Sequence, residues 1–305
     1  MKLRRIAALS LLFAMLTLTS CSSLASAFAQ PRYTIDGDYI YFGEYPQTIK
    51  ADDVTITDKQ DSRGYYLGSD GAYYAQATAT PWGFGYTFST KERVTSGEVY
   101  YFKVEPIRWR ILTTDGETAF ILCDKVIDHH AFDTDEEDDY GSNNYADSDI
   151  RAWLNGSFYT TAFKRQERKL VLTTKVDNSL ASTGKESNAY LCEDTEDKIF
   201  LLSYAEVTNP EYGFLTDADE KDWMRCMPAS DYARATGAYV DFESNYYENG
   251  AYHYDYFGNG YWWLRSPHDN RVDDFACSVK FNGICQSFTA GAPHLGVVPA
   301  LWIRL

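Results

Sequence analysis

Ile107-Arg108-Trp109-Arg110-Ile111, Asp115-Gly116 and Ala119-Phe120-Ile121-Leu122-Cys123 follow one another along the chain. In the first run, apolar residues alternate with arginines, the period of a strand with one buried face. Asp-Gly supplies a turn and the last run a return strand, so the three together predict a β-hairpin. Working toward the N-terminus, Asp38-Tyr39-Ile40-Tyr41-Phe42 reads as a short strand closed by Gly43 and Pro46. Gly68-Ser69-Asp70-Gly71 reads as a turn between aromatic runs. Toward the C-terminus the period changes. Ser148 can cap a helix carrying Ile150, Trp153 and Leu154 on one face and ended by Gly156, and a charged helix is expected over residues 164–170.

Asp197-Lys198-Ile199-Phe200-Leu201-Leu202 reads as a buried strand running into Ser203-Tyr204-Ala205-Glu206, the spacing of a capping box. Ser230 to Gly237 repeats the serine start and glycine stop. The chain then returns to strands: residues 261–267, a hairpin over 275–288, and a last strand over 296–303. Strands, then helices, then strands predict an α+β class. No internal repeat or low-complexity block interrupts the order.

The first residues read as an export signal. Lys2, Arg4 and Arg5 precede an apolar run over residues 6–18, and Leu18-Thr19-Ser20-Cys21 follows. That run is shorter than the roughly 20 residues of a spanning helix. Leucine three positions before a cysteine, with small residues between, resembles the bacterial lipobox. The resemblance implies diacylglycerol on Cys21, cleavage before it, and a location at the outer face of the cell membrane. The expected organisation is a signal peptide over 1–20, a lipidated tether over 21–32 and a single domain over 33–305.

The whole chain carries a net charge of −16, and the signal residues contribute only positive charge, so the rest is more acidic still. Such a field repels phosphate backbones and excludes nucleic acid as a partner. Aromatic residues make up 16% of the chain, with 25 tyrosines and 7 tryptophans. That abundance suits half-buried strands and ring-lined recognition surfaces alike. Beyond Cys21 lie Cys123, Cys192, Cys226, Cys277 and Cys285, an odd number that cannot all pair within one chain. If Asn282-Gly283 forms a two-residue turn, Cys277 and Cys285 point to opposite faces of their hairpin, which disfavours a bridge.

Several segments together resemble a bacterial extracytoplasmic domain family of unknown function found in Gram-positive lipoproteins. They are Phe42-Gly43-Glu44-Tyr45-Pro46-Gln47, Pro106-Ile107-Arg108-Trp109-Arg110-Ile111-Leu112, Ile150-Arg151-Ala152-Trp153-Leu154-Asn155 and Ala162-Phe163. The series continues with Asp197-Lys198-Ile199-Phe200-Leu201-Leu202-Ser203, Tyr232-Ala233-Arg234-Ala235, Trp262-Trp263-Leu264-Arg265-Ser266-Pro267 and Gly296-Val297-Val298-Pro299-Ala300. His268 stands where that family mostly has glycine, and Val298 where it mostly has arginine. The family is distantly similar to formylglycine-generating-enzyme and C-type-lectin-like folds. The resemblance implies short twisted antiparallel strands, a few helices and long loops.

Candidate chemistry is sparse. The enzyme alternative, of the formylglycine-generating type, would need closely spaced thiols, and only Cys277 and Cys285 lie in the right region. His129-His130 beside Asp128, Asp133 and Asp135 could supply an acid, a base or metal ligands; a solvated loop is the simpler account. The acidic run over 133–139 could hold calcium, although Asp138 stands where an EF-hand needs glycine. The ligand-binding residues expected are Tyr254, Tyr256, Trp262, His268, Asp269, Asn270 and Asp273, on a ring-rich segment and the polar loop after it. Trp263 and Arg265 are expected in the core. The chain therefore reads as a non-catalytic binding or scaffolding lipoprotein whose partner is a cell-surface saccharide or protein. No cofactor is expected apart from calcium.

Overall fold

In the computed structural model the described residues are 33–134, 140–241, 246–248, 251–253, 256–268 and 273–305. The hairpin that decides the class is present as β6 (Val99–Thr114) and β7 (Thr118–Cys123), turned at Asp115-Gly116. Ile107 and Trp109 are buried and Arg108 is exposed, as the alternation requires. The phase then slips. A bulge between Ile111 and Thr113 leaves Ile111 half-buried and sends Leu112 inward.

The larger sheet begins with β1 (Thr34–Asp36), β2 (Tyr39–Ile49), β3 (Ile56–Gln60), β4 (Tyr66–Gly68) and β5 (Tyr73–Thr78). Its long central strand, β6, pairs with β5 through residues 99–103, with β2 through 102–110 and with β7 through 109–114. Contrary to the sequence reading, β2 does not stop at Gly43 or Pro46. It continues to Ile49 with two register shifts. Beyond Tyr41 it has no partner on its β1 side among the described residues, and proline is tolerated in such an edge position.

The middle of the chain supplies short helices. Ser148 caps α1 (Asp149–Trp153) by accepting from the Arg151 amide. Gly156 does not end the helical path, because a widened π turn over Leu154–Phe158 carries it into α2 (Tyr159–Ala162). The charged helix expected over 164–170 is a single 3-10 turn at Glu167–Lys169. Phe163 packs on Phe42 at 4.9 Å. α3 (Tyr204–Val207) carries the full capping box of Ser203 and Glu206. α4 (Asp231–Thr236) is capped by Ser230 and places Tyr232 against Tyr45 and Phe102.

Residues 199–202 are buried, but they are not a strand. Phe200 exchanges a pair of backbone bonds with Ala300, and the Leu202 carbonyl accepts from the Arg265 amide. The Asn155 side chain takes the place of a neighbouring strand: its Oδ1 accepts from the amides of Lys198 and Ile199, and its Nδ2 donates to the Ile199 carbonyl. Buried backbone groups need such partners.

A second sheet has the order β15-β14-β13-β16-β8, from β8 (Asp128–His129), β13 (Trp262–Pro267), β14 (Phe275–Val279), β15 (Cys285–Thr289) and β16 (Gly296–Val297). Small ribbons β9 (Thr174–Val176) with β10 (Thr195–Asp197), and β11 (Tyr246–Glu248) with β12 (Ala251–His253), lie outside both sheets. The expected last strand is split at Pro299: β16 belongs to the second sheet, and β17 (Ala300–Arg304) pairs with β7 in the first. The two sheets are thus joined by a pair of chain segments that cross together. The amide of Cys123 donates to the Pro299 carbonyl, and that of Ile127 to the Val297 carbonyl.

Residues from Tyr33 to Leu305 form one compact unit. At its centre Trp109, Trp262 and Trp263 are wholly buried. Each indole N–H donates to a backbone carbonyl, of Phe42, Arg225 and His130 respectively. Large rings contribute strongly when buried, provided the polar edge keeps a partner. Arg265 is core as expected. Its guanidinium donates to the carbonyls of Leu201 and Asp177 and pairs with Glu206 at 2.5 Å.

The β14–β15 turn corrects the thiol geometry. Gly283 N–H donates to Lys280 O, and Lys280 N–H to Ile284 O, so the loop has three residues rather than two. Val279 then faces Cys285, and Cys277, two positions along, shares that face. Gly283 sits at φ +82°, and a Cβ there would lie 2.1 Å from the Asp222 carbonyl oxygen. Gly283→Ala should therefore cost more than the ~1–2 kcal/mol of left-handed backbone alone. A denaturant midpoint for Gly283→Ala unchanged from that of the parent would contradict this turn.

Candidate functional site

Where β13, β14 and the segments before them reach the surface, aromatic rings stack in a continuous line. Trp223 lies on Tyr256 with centroids 4.8 Å apart and planes 23° apart, and Tyr256 meets Phe281 at 6.0 Å. Phe281 touches Tyr261 edge-on at 5.5 Å, and Tyr261 stacks on Tyr239 at 4.4 Å and 8°. The line continues through His294, 5.7 Å from Tyr239, to Trp82, which stacks on His294 at 3.7 Å and 12°. Its two ends are the most open: Trp223 is 60% exposed and Trp82 53%. Tyr239, Tyr261 and Phe281 between them are half-buried.

Local sequence explains the line. Tyr239 and Tyr261 are brought side by side because Tyr261 N–H donates to the Tyr239 carbonyl next to the Val240–Gly260 bridge. Phe281 is lifted by the three-residue turn just described. Trp223 projects from a loop held by Arg225, whose guanidinium is fully buried and donates to the carbonyls of Asp217 and Glu220. Lys221 Nζ lies 5.9 Å over the Tyr256 ring.

A second feature is a cavity of about 150 Å³ on the shared face of β14 and β15. Cys277, Cys285, Tyr204, His268 and Asp219 are among the residues that line it. Burial pushes the Cys285 thiol up to about 11 even though the Arg225 guanidinium lies 3.8 Å away. Burial, then the two thiols, pushes the Tyr204 hydroxyl up to about 12. At neutral pH Cys285 is therefore a protonated thiol, the unreactive form. Among the described residues no two cysteines form a disulfide.

The residues singled out from sequence are dispersed. Trp262 is wholly buried, so its ring cannot meet a ligand. Both faces of β13 are covered, and alternation along it does not separate an outer face from an inner one. Tyr256 is 5% exposed and serves as the support for Trp223. His268 is half-buried on the cavity wall, and Asp273 is exposed, its carbonyl accepting from the Asn143 amide. Cys21, Tyr254, Asp269 and Asn270 lie outside the described residues. So do Asp135 and Asp138.

The histidine–aspartate cluster does not converge. Asp128 is buried and accepts from the Tyr45 hydroxyl at 2.5 Å, and burial raises its carboxyl. His129 Nδ1 lies 2.7 Å from the Pro293 carbonyl and His130 Nδ1 2.7 Å from that of Ala131. Asp133 accepts from the amides of Ser142 and Asp149. Among the described residues no group of three or more histidine, cysteine or acidic side chains is placed to hold a metal ion.

Trp82, Trp223, Tyr239 and Phe281 were not singled out from sequence. The glycine-interleaved run Trp82-Gly83-Phe84-Gly85 is a signal that could have marked one end.

Burial, and then the nearby charge of His129, lowers the His294 imidazole to about 4, so it stacks under Trp82 as a neutral ring. The unfolded chain gains a proton near pH 6.5 and the folded one near 4, so stability should fall as pH drops through that window. Melting temperatures between pH 7 and 5 should decline more for the parent than for His294→Phe. Equal slopes would refute the assignment.

Nothing among curated proteins or solved structures matches the chain. One family model does, over residues 116–305, which is more than half of the sequence. It takes in the return strand of the first hairpin, the helices, the second sheet and all the stacked rings except Trp82. The protein belongs to the family described as a domain of unknown function, DUF6273.

Proposed function

We propose that the protein is a lipid-anchored extracytoplasmic binding module that holds a neutral cell-surface saccharide along the rings from Trp223 to Tyr239. The stacked line of rings carries this reading. Sugar rings offer apolar C–H faces that lie flat on an exposed indole such as Trp223, and the half-buried Phe281, Tyr261 and Tyr239, which partly cover one another's faces, extend the apolar strip beside it. The rings are held by backbone bonds and by one another, so little entropy is lost on binding. The net charge of −16 disfavours anionic polymers. Calcium is the one cofactor kept in this reading.

The location rests on the sequence: three basic residues, an apolar run too short to span a bilayer, and Leu18-Thr19-Ser20-Cys21. No helix among the described residues is long and apolar enough to cross a membrane. Antiparallel strands that are mostly short apart from β2 and β6, short helices and irregular loops support a distant relation to C-type-lectin-like and formylglycine-generating-enzyme folds. A second reading, an enzyme of the latter type, draws on the convergence of Cys277, Cys285, Tyr204 and His268 on one cavity. The raised Cys285 thiol disfavours it. Turnover abolished in both Cys277→Ser and Cys285→Ser, with polymer binding intact, would move the assignment there.

Two measurements test the main reading. Pull-down on purified cell-wall saccharides, with and without calcium, should retain the parent chain. Trp223→Ala or Tyr261→Ala should weaken retention about 5–30-fold, the loss of ~1–2 kcal/mol for an anchoring ring. Retention of both variants equal to the parent, or none by the parent, would rule out the ring surface. Growth with a labelled fatty acid should mark the parent and leave Cys21→Ser unmarked; label in both would remove the anchor at Cys21.

A further inference from the structure

The loop over residues 81–85 carries Trp82, which lies past the rings assigned to saccharide and is linked to Tyr239 through His294. Phe84 is 92% exposed, the most open of the large apolar side chains among the described residues, and Trp82 beside it is 53% exposed. Glycines at 83 and 85 flank Phe84. The loop's base is nonetheless fixed: Thr80 N–H donates to the Ala235 carbonyl, Thr80 Oγ1 donates to that of Thr236, and Trp82 is clamped on His294. A large ring held outward on an anchored base gains nothing from water. It suits a surface that is apolar below and polar above.

Facing this loop is a short hairpin joined by the Thr87–Arg93 bridge, with Val94 N–H donating to the Tyr86 carbonyl. Between loop and hairpin lies a groove of about 510 Å³. One wall is Pro81, Trp82 and Phe84; the other is Arg93, Thr95 and Ser96. Arg93 is exposed, and it is the one charged residue among those lining the groove, with no carboxylate beside it there. In a chain of net charge −16, a groove whose single charge is positive stands against the background. At the hairpin tip Lys91 and Glu92, both exposed, offset one another, which leaves Arg93 as the net cation. An arginine with two hydroxyls matches a phosphodiester, and the aromatic wall matches acyl chains.

We infer that the 81–96 groove is a contact for an anionic phospholipid at the bilayer surface, with Phe84 and Trp82 seated at the interface and Arg93 on the lipid phosphate. The inference rests on the reading that places the chain at a membrane. The diacylglycerol expected on Cys21 already supplies two acyl chains, so this contact would orient the domain against the bilayer rather than supply the anchor. The attraction is local, because the chain's overall charge opposes an anionic surface and only groups within a screening length, ~8 Å at physiological salt, act on it.

The test uses the chain from residue 21 onward carrying Cys21→Ser, so that flotation cannot come from lipid on that residue; the compact unit starts later, at Tyr33. It should float with vesicles of phosphatidylglycerol and phosphatidylcholine and lose at least fivefold of the bound fraction with phosphatidylcholine alone. Phe84→Ser should reduce binding to the mixed vesicles at least fivefold with an unchanged melting temperature, since the ring is solvent-exposed. Arg93→Gln should abolish the preference for phosphatidylglycerol. Brominated lipid should quench parent fluorescence, and Trp82→Phe should remove that quenching.

Flotation untouched by Phe84→Ser and Arg93→Gln would place the contact elsewhere and overturn the inference, as would no flotation with the mixed vesicles. Fatty-acid labelling of the full chain reports separately on Cys21, so failure of the anchor and failure of the groove are told apart. Glycerol phosphate in solution should not compete at millimolar concentration; full competition would mean a headgroup site without a bilayer.

Discussion

The architecture depends on two chain segments that bend from one sheet to the other while staying hydrogen-bonded to each other. On one, β7 ends at Cys123 and leads to β8; on the other, β16 is followed by Val298 and Pro299 and then β17. Proline at the bend has no amide to lose from a ladder, and its carbonyl takes the Cys123 amide. Close approach is also required at Gly296, where a Cβ would lie 2.4 Å from a Val126 methyl. Because both sheets share this crossing, the buried indoles and the rings at the surface are fixed relative to one frame. The residues concerned come from distant parts of the sequence, a topology dominated by non-local contacts.

Outside the sheets, long stretches have no ladder to satisfy their backbone, and charged side chains take its place. Arg225, Arg234 and Arg265 are each at most 8% exposed. Their guanidiniums donate to loop carbonyls: Arg225 to Asp217 and Glu220, Arg234 to Ala229, Thr87 and Gly258, and Arg265 to Leu201 and Asp177. Five donors in a planar fork allow one arginine to close several turns at once. Asn155 does the same for residues 198–199. Irregular segments become rigid in this way, and rigid segments can hold rings such as Trp223 outward. A lysine at any of these arginine positions would leave carbonyls unpaired.

Much of the fold was legible because its signals are local. Period-two alternation gave β6 and β7, and serine starts with glycine or glutamate partners gave α3 and α4. What escaped was set by geometry between segments. A bulge at Ile111 to Thr113 has no residue signature, yet it exchanges the faces of Ile111 and Leu112. Asn282-Gly283 fits a two-residue or a three-residue turn equally well, and the difference decides whether Cys277 and Cys285 share a face. The candidate site was less legible. Trp262 drew attention as an aromatic residue near a loop, but a strand covered on both faces buries it. The exposed ends, Trp82 and Trp223, lie in loops whose positions depend on Arg225 and on contacts with residues far along the chain.

The five described thiols, none of them in a disulfide with another, bear on how such a chain survives. Cys123 is fully buried and pushed up to about 12, Cys226 likewise to about 12, and burial also raises Cys192. Exchange and oxidation proceed through the thiolate, so groups held this far above neutrality react slowly wherever an oxidant meets the folded protein. The dangerous interval is before folding, when the thiols have ordinary acidity and any two could be joined wrongly. Speed of maturation, rather than any cross-link, is then what keeps the native chain chemically uniform.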